Sequence, residues 1–148
     1  MRVVDQIHLE PSAAEVGRFN QWLDERLAAS AIEASLGFDT KLCLNEILAN
    51  LIAYGLRDTV DPSILIEIEL LPGRASALVS DNGAYFDIRT YEPPRGRDLM
   101  TCEPGGFGLA LVKERVTNLE YRHSAGLNRL SFTCELSPPV PGSALPRP

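Results

Sequence analysis

No window of this chain approaches the roughly 18 consecutive apolar residues that a membrane-spanning helix requires, and the opening MRVVDQIHLE has no signal-peptide hydrophobic core. A cytoplasmic protein without a membrane partner is expected. Basic residues are in the minority, 14 Lys and Arg against 20 Asp and Glu, for a formal net charge of −6. Phosphate-backbone contacts need clustered Lys and Arg, no such run exists, and direct nucleic-acid binding is therefore not expected. Cysteine is scarce: Cys43, Cys102 and Cys134 are odd in number and show neither CxxC nor Cys/His ligand spacing. That argues against a disulfide framework and a zinc site, and reads as buried thiols in a reducing compartment.

What remains is an ordinary globular composition, 148 residues with 45% hydrophobic and 23% charged, enough for one well-packed domain and too little for two. The expected domain covers 1–136, and the proline-rich stretch 137–148 has the composition of a disordered tail. The most informative stretch is Asp39 to Leu56, DTKLCLNEILANLIAYGL, read as one helix. Leu44, Ile47, Leu48, Leu51 and Ile52 give it apolar surface on most sides, while Glu46 and Asn50, four residues apart, share one face with Leu42 and Tyr54. A carboxylate on so apolar a helix is costly unless something pairs with it.

Along the chain, Arg2 to Leu9 alternates loosely as a short edge or half-buried strand. Ser12 with Glu15 forms a capping-box signature, which starts a helix over Ala13 to Ala29 with Val16, Phe19, Trp22, Leu23 and Leu27 on its core face. Gly37 is expected to separate that helix from the next, and Gly55 to end the latter. In SILIEIELL, Ile64, Ile66, Ile68 and Leu70 face one way and Glu67 and Glu69 the other; Pro72-Gly73 turns the strand into ASALVSDNG. Ile88 to Glu103 has no periodicity and reads as a functional loop or lid. A helix FGLALVKERVTNL follows, with Leu109, Val112 and Val116 at core spacing, then a hairpin of Tyr121–His123 and Asn128–Glu135 around Gly126. The pattern predicts an antiparallel sheet with helices on one face.

Three polar constellations are left once packing is accounted for. Glu46 with Asn50 is the first. The second is DNGAYFD, where Asp81 closes a strand beside Gly83, a residue that lets a flat ligand approach the backbone. The third is the glycine-rich helix start GGFG, whose free N–H groups and helix dipole suit an anion.

In this order and spacing, NEILANLIAYG, SDNGAYFD and GGFGLALVKERV resemble the N, G1 and G2 boxes of the GHKL ATPase superfamily, and within it the anti-sigma factor serine-protein kinases of the RsbW and SpoIIAB type. The resemblance implies the Bergerat fold, an α+β two-layer α/β sandwich with a mixed, mostly antiparallel sheet and helices on one face. It further implies an ATP-dependent serine-protein kinase that uses Mg²⁺, phosphorylates a STAS-domain anti-sigma factor antagonist and sequesters a sigma factor or another regulator, often as a homodimer. By this resemblance Glu46 is the general base, a role worth about 10²–10⁴-fold, and Asn50 holds Mg²⁺. Asp81 accepts the adenine amino group, and Gly83 and Phe86 pack near the base. Gly105, Gly106, Phe107, Gly108 and Leu109 lie at the phosphates, with Lys113 and Arg115 as helix-face charges. The chain departs from the pattern at Tyr54 (commonly His), Tyr85 (commonly Gly), Asn128 (commonly Thr) and Glu103-Pro104, where some members have an arginine; Arg95 and Arg97 are the nearby cations. The alternatives are a nucleotide-binding switch that sequesters a partner without kinase activity, and a detached histidine-kinase ATPase domain. For the latter no acceptor segment is evident, and His8 and His123 read as incidental strand residues.

Overall fold

The computed structural model describes residues 4–90 and 106–136. Its elements are β1 (Asp5–Leu9), α1 (Ala13–Ala29), α2 (Ala34–Asn50) with a π-turn (Leu51–Gly55), β2 (Ile64–Leu71), β3 (Arg74–Asp81), a 3₁₀ turn (Ile88–Thr90), α3 (Gly106–Arg115), β4 (Asn118–Ser124) and β5 (Leu127–Glu135). The strands form one sheet in the order β1-β2-β3-β5-β4, every pairing antiparallel. Ile7, Ile66, Val79 and Phe132 point to one face, where they meet Phe19 and Leu23 of α1, Leu44 and Leu48 of α2, and Leu109 and Val112 of α3 in a single core. The α+β two-layer architecture is therefore the one the sequence predicts.

Local chemistry explains most element limits. The Ser12 hydroxyl accepts the Glu15 N–H (3.2 Å), but the Glu15 carboxylate returns to the N–H of Glu10 (3.2 Å) and not to Ser12, so the cap clamps the end of β1 onto α1. Gly73 and the Ala125-Gly126 pair adopt positive φ at the two hairpin turns, where glycine avoids the steric penalty.

The structure departs from the expected elements in three places. The second helix begins at Ala34, and Gly37 lies inside it. A Cβ there would meet Leu27 Cδ2 of α1 at 3.4 Å, an ordinary contact, so this glycine lies where α2 packs on α1 and does not break the chain. The break falls at residues 30–33; Glu33 turns its carboxylate to the Gly73 N–H (2.7 Å), capping the β2–β3 turn. Second, the α-helix stops at Asn50 and continues as the π-turn, which shifts the helical phase and leaves Tyr54 exposed, off the Glu46–Asn50 column. Third, α3 ends at Arg115, and Asn118 and Leu119 belong to β4, with the Thr117 N–H already on the Thr133 carbonyl (2.8 Å). Residues 91–105 and 137–148 lie outside the described residues, and with them most of the expected loop, Arg95, Arg97, Cys102, Glu103, Pro104, Gly105 and the proline-rich tail.

Cys43 and Cys134 are free and buried against each other, α2 on β5; the hydrogen bond to Cys134 and burial push the Cys43 thiol up, away from the reactive thiolate. Among the described residues no helix is long and apolar enough to cross a membrane, and no cluster of three or more His, Cys, Asp or Glu could hold a metal.

Candidate functional site

A cleft of about 470 Å³, counted to its open mouth, lies between the end of α2, the adjoining ends of β3 and β5, and α3. Ile47, Val79 and Leu130 give it an apolar wall. Of the residues singled out by the sequence, Asn50, Asp81, Phe86 and Leu109 line it together. Three segments distant in sequence thus converge on one space.

Asn50 reaches the cleft because it is the last α-helical residue before the π-turn, on the buried side of α2 (9% exposed). Its side-chain amide has no hydrogen-bond partner among the described residues and is open to the cleft, where a ligand or water can meet it. Glu46 sits one turn earlier and is half-buried, outside the cleft lining, so the buried-carboxylate problem posed by the sequence does not arise. The adjacent Asn45 fixes this stretch: its amide and that of Asn20 on α1 exchange reciprocal hydrogen bonds of 2.8 Å.

Asp81 ends β3 and is buried. Burial pushes its carboxyl above the usual range, opposed by hydrogen bonds from Asn128 and from the Gly83 N–H. Both donors fall on one oxygen: the Gly83 N–H (2.9 Å) and Asn128 Nδ2 (3.1 Å) meet Oδ1. Oδ2 has no partner among the described residues. Gly83 itself does not line the cleft. A Cβ at this position would fall 2.3 Å from the Gly55 carbonyl oxygen, so the π-turn backbone demands glycine here.

Two lining residues carry more of the site than their sequence context suggested. Asn128 registered only as a departure from a family pattern and Tyr121 only as a strand residue, yet both are buried. Asn128 Nδ2 also donates to the carbonyls of Gly83 (3.1 Å) and Ala84 (2.8 Å), and the Tyr121 hydroxyl donates to Asn128 Oδ1 while accepting the Phe86 N–H (3.2 Å). The usable signal was positional: Asn128 and Tyr121 occupy helix-facing positions of the last hairpin, in phase with Leu130 and Phe132, where an amide or phenol must find a partner. Tyr85, the bulky departure, stays outside: it is 66% exposed and stands edge-on to Tyr121 and His123 at 5.5 Å each. Asp87 behind it is held ionised by bidentate Arg89 (3.0 and 2.8 Å), which keeps its carboxyl low.

At the far end of the cleft α3 opens at Gly106, so its first-turn N–H groups fall on the residues 106–109 assigned to an anion by sequence. Arg115 is not a free helix-face charge: it pairs with Asp39 at 2.6 Å, tying α3 to α2.

The sequence pattern of the histidine kinase-like ATPase domain matches residues 9–134. Among curated relatives, the serine/threonine-protein kinase BtrW of Bordetella bronchiseptica is 27% identical over 90% of this chain and 95% of its own length. The serine-protein kinase RsbW of Listeria innocua is 27% identical over 70% and 73%. Among solved structures, the RsbU and RsbW domains of Rv1364c from Mycobacterium tuberculosis align with a TM-score of 0.62 at 22% identity, over 93% of this chain and 33% of that longer one. The histidine kinase domain of the blue-light activated kinase EL346 from Erythrobacter litoralis aligns at 0.51 and 16% identity, over 83% and 60%. Both likenesses are of fold.

Proposed function

The chain belongs to the histidine kinase-like ATPase domain family, and from that premise we propose that it is an ATP-dependent protein serine/threonine kinase of a partner-switching system. The observation that carries this is the cleft itself, where an amide at Asn50 and a carboxylate oxygen at Asp81, both without a partner among the described residues, border one largely apolar space that Leu109 of α3 also lines. An acceptor for a base amino group, an apolar slot for its ring and helix-end N–H groups for phosphates are the parts a nucleoside triphosphate needs.

The donor set suits Mg²⁺. With no carboxylate cage among the described residues, a single amide oxygen at Asn50 leaves the remaining positions to phosphates and water, as this cation prefers. When bound, the ion neutralises charge on the phosphate oxygens. Phe86 and Leu109 exclude water from the base, and Asp81 orients it. Glu46, half-exposed beside the cleft, accepts the proton of a partner hydroxyl as that oxygen takes the γ-phosphoryl group; positioning and electrostatics supply most of the acceleration. The partner hydroxyl belongs to a serine or threonine of a STAS-domain anti-sigma factor antagonist, whose grip weakens as phosphorylation adds roughly two negative charges. A sigma factor or another regulator competes for the same kinase, which acts as a homodimer in the cytoplasm.

The test is incubation with γ-labelled ATP, Mg²⁺ and a STAS-domain partner. Acid-stable label on a serine or threonine of the partner is the expected outcome. Acid-labile label, or none on the partner despite measurable ATP binding, refutes the proposal.

A further inference from the structure

Resting on the nucleotide reading above, we propose that Asn128, oriented by the Tyr121 hydroxyl, is a positioning residue that makes this site select a 6-aminopurine over a 6-oxopurine. The orientation of the Asn128 amide is fixed by its surroundings. Nδ2 faces three acceptors, Asp81 Oδ1 at 3.1 Å, the Gly83 carbonyl at 3.1 Å and the Ala84 carbonyl at 2.8 Å. Reversing the amide would set an oxygen against all three. On its other side the Tyr121 hydroxyl, which accepts the Phe86 N–H at 3.2 Å, has its proton left for Asn128 Oδ1. The polarity of this relay is set from end to end.

Its consequence falls on Asp81. A carboxylate with both oxygens available recognises the 6-oxopurine edge well, because the ring N–H and the 2-amino group form a fork that two oxygens match. Here Oδ1 already takes two donors, Asn128 Nδ2 and the Gly83 N–H at 2.9 Å. Only Oδ2 remains for the ligand, and a single acceptor matches a single exocyclic amino group. The 6-oxo group of the other purine would bring an acceptor to an acceptor, and a buried polar site rejects a ligand that leaves its groups unpaired. Neither Tyr121 nor Asn128 has to touch the base for this. Both act through Asp81.

The experiment is equilibrium binding of ATP and GTP, each with Mg²⁺, to the full chain and to Asn128→Ala and Tyr121→Phe, with thermal melting alongside. Wild type should prefer ATP. Asn128→Ala frees a lone pair on Oδ1 and lets the carboxylate turn, and should reduce the ATP/GTP preference about tenfold or more, with Tyr121→Phe reducing it about threefold. A purely structural role would weaken both nucleotides alike and leave the ratio in place. A ratio within about twofold of wild type in Asn128→Ala overturns the proposal; if that variant fails to melt cooperatively, the same ratio in Tyr121→Phe decides. Wild type binding ATP and GTP equally overturns it while sparing the nucleotide site. Wild type binding neither removes the nucleotide reading and this inference with it.

Discussion

Replacing Gly83 with alanine tests the junction on which the cleft is built. The added Cβ would sit 2.3 Å from the Gly55 carbonyl oxygen, where ordinary contact begins at 3.4 Å, and 3.0 Å from Asp81 Oδ1. The nearer obstacle is backbone, held by the π-turn hydrogen bond from the Leu56 N–H to the Leu51 carbonyl (2.9 Å), so no side-chain rotation relieves the overlap. The segment after β3 and the π-turn must separate by about 1 Å, and overpacking of this kind costs up to about 3 kcal/mol. For a domain of this size that lowers the melting temperature by roughly 6–12 °C. Because Gly83 does not have positive φ, backbone strain contributes nothing. The same movement displaces Asp81, so nucleotide affinity should fall as well. Gly17→Ala is the control: its Cβ meets nothing within 4 Å in the middle of α1, and alanine there should stabilise by roughly 0.5–1 kcal/mol. Differential scanning calorimetry reads both. A Gly83→Ala protein melting within about 2 °C of wild type would refute the reasoning, since it would mean the π-turn yields freely.

Asn50→Ala should abolish Mg·ATP binding by calorimetric titration while keeping a cooperative melt, because the amide it removes bonds to no other described residue; retained affinity would take Asn50 out of the metal role. Glu46→Gln should leave ATP affinity unchanged and slow phosphoryl transfer by about 10²–10⁴-fold in single-turnover assays. Asp81→Asn separates stability from function. The folded-state carboxyl is raised by burial, so ionisation opposes folding: the penalty is absent below the unfolded-state value, grows as pH rises from there towards the folded-state value and is full above it. The asparagine variant should therefore melt higher than wild type near pH 7, show a smaller gain in acid, and lose ATP binding throughout.

The fold was largely legible because its signals are local. Ile64, Ile66 and Ile68 alternate with Glu67 and Glu69, Ser12 opens α1, and glycines mark both hairpin turns; each of these acts over a few residues, and the structure keeps all of them. Where the sequence misled, a local signal had a tertiary cause. Gly37 reads as a helix break, but it lies inside α2 at the contact with Leu27 of α1. Gly83 stands in a motif read for a ligand's approach, and its missing side chain makes room for the Gly55 carbonyl. Glu46 reads as a buried carboxylate because its helix is apolar on most sides, yet the structure leaves it half-buried and outside the cleft lining. A glycine or a carboxylate states that something is close or paired, and only the packing says what.

The site divides along the same line. Asn50, Asp81, Phe86 and Leu109 stand in the short motifs that carry the family resemblance, and the structure brings them to one cleft. The relay that orients Asp81 is not legible in such a motif, because Asn128 lies 47 residues away and reaches it only through the β3–β5 register, in which Asp81 and Asn128 are direct partners. Strand register has a period of two, so slipping β5 by one residue would turn its whole apolar set to the open face and put Leu127 or Arg129 opposite Asp81. The burial of Leu130, Phe132 and Cys134 on the helix side forbids that slip. The hydrophobic alternation of the last strand, a feature of core packing, thus determines which polar side chain meets the carboxylate, and through it which hydrogen bonds are left for a ligand.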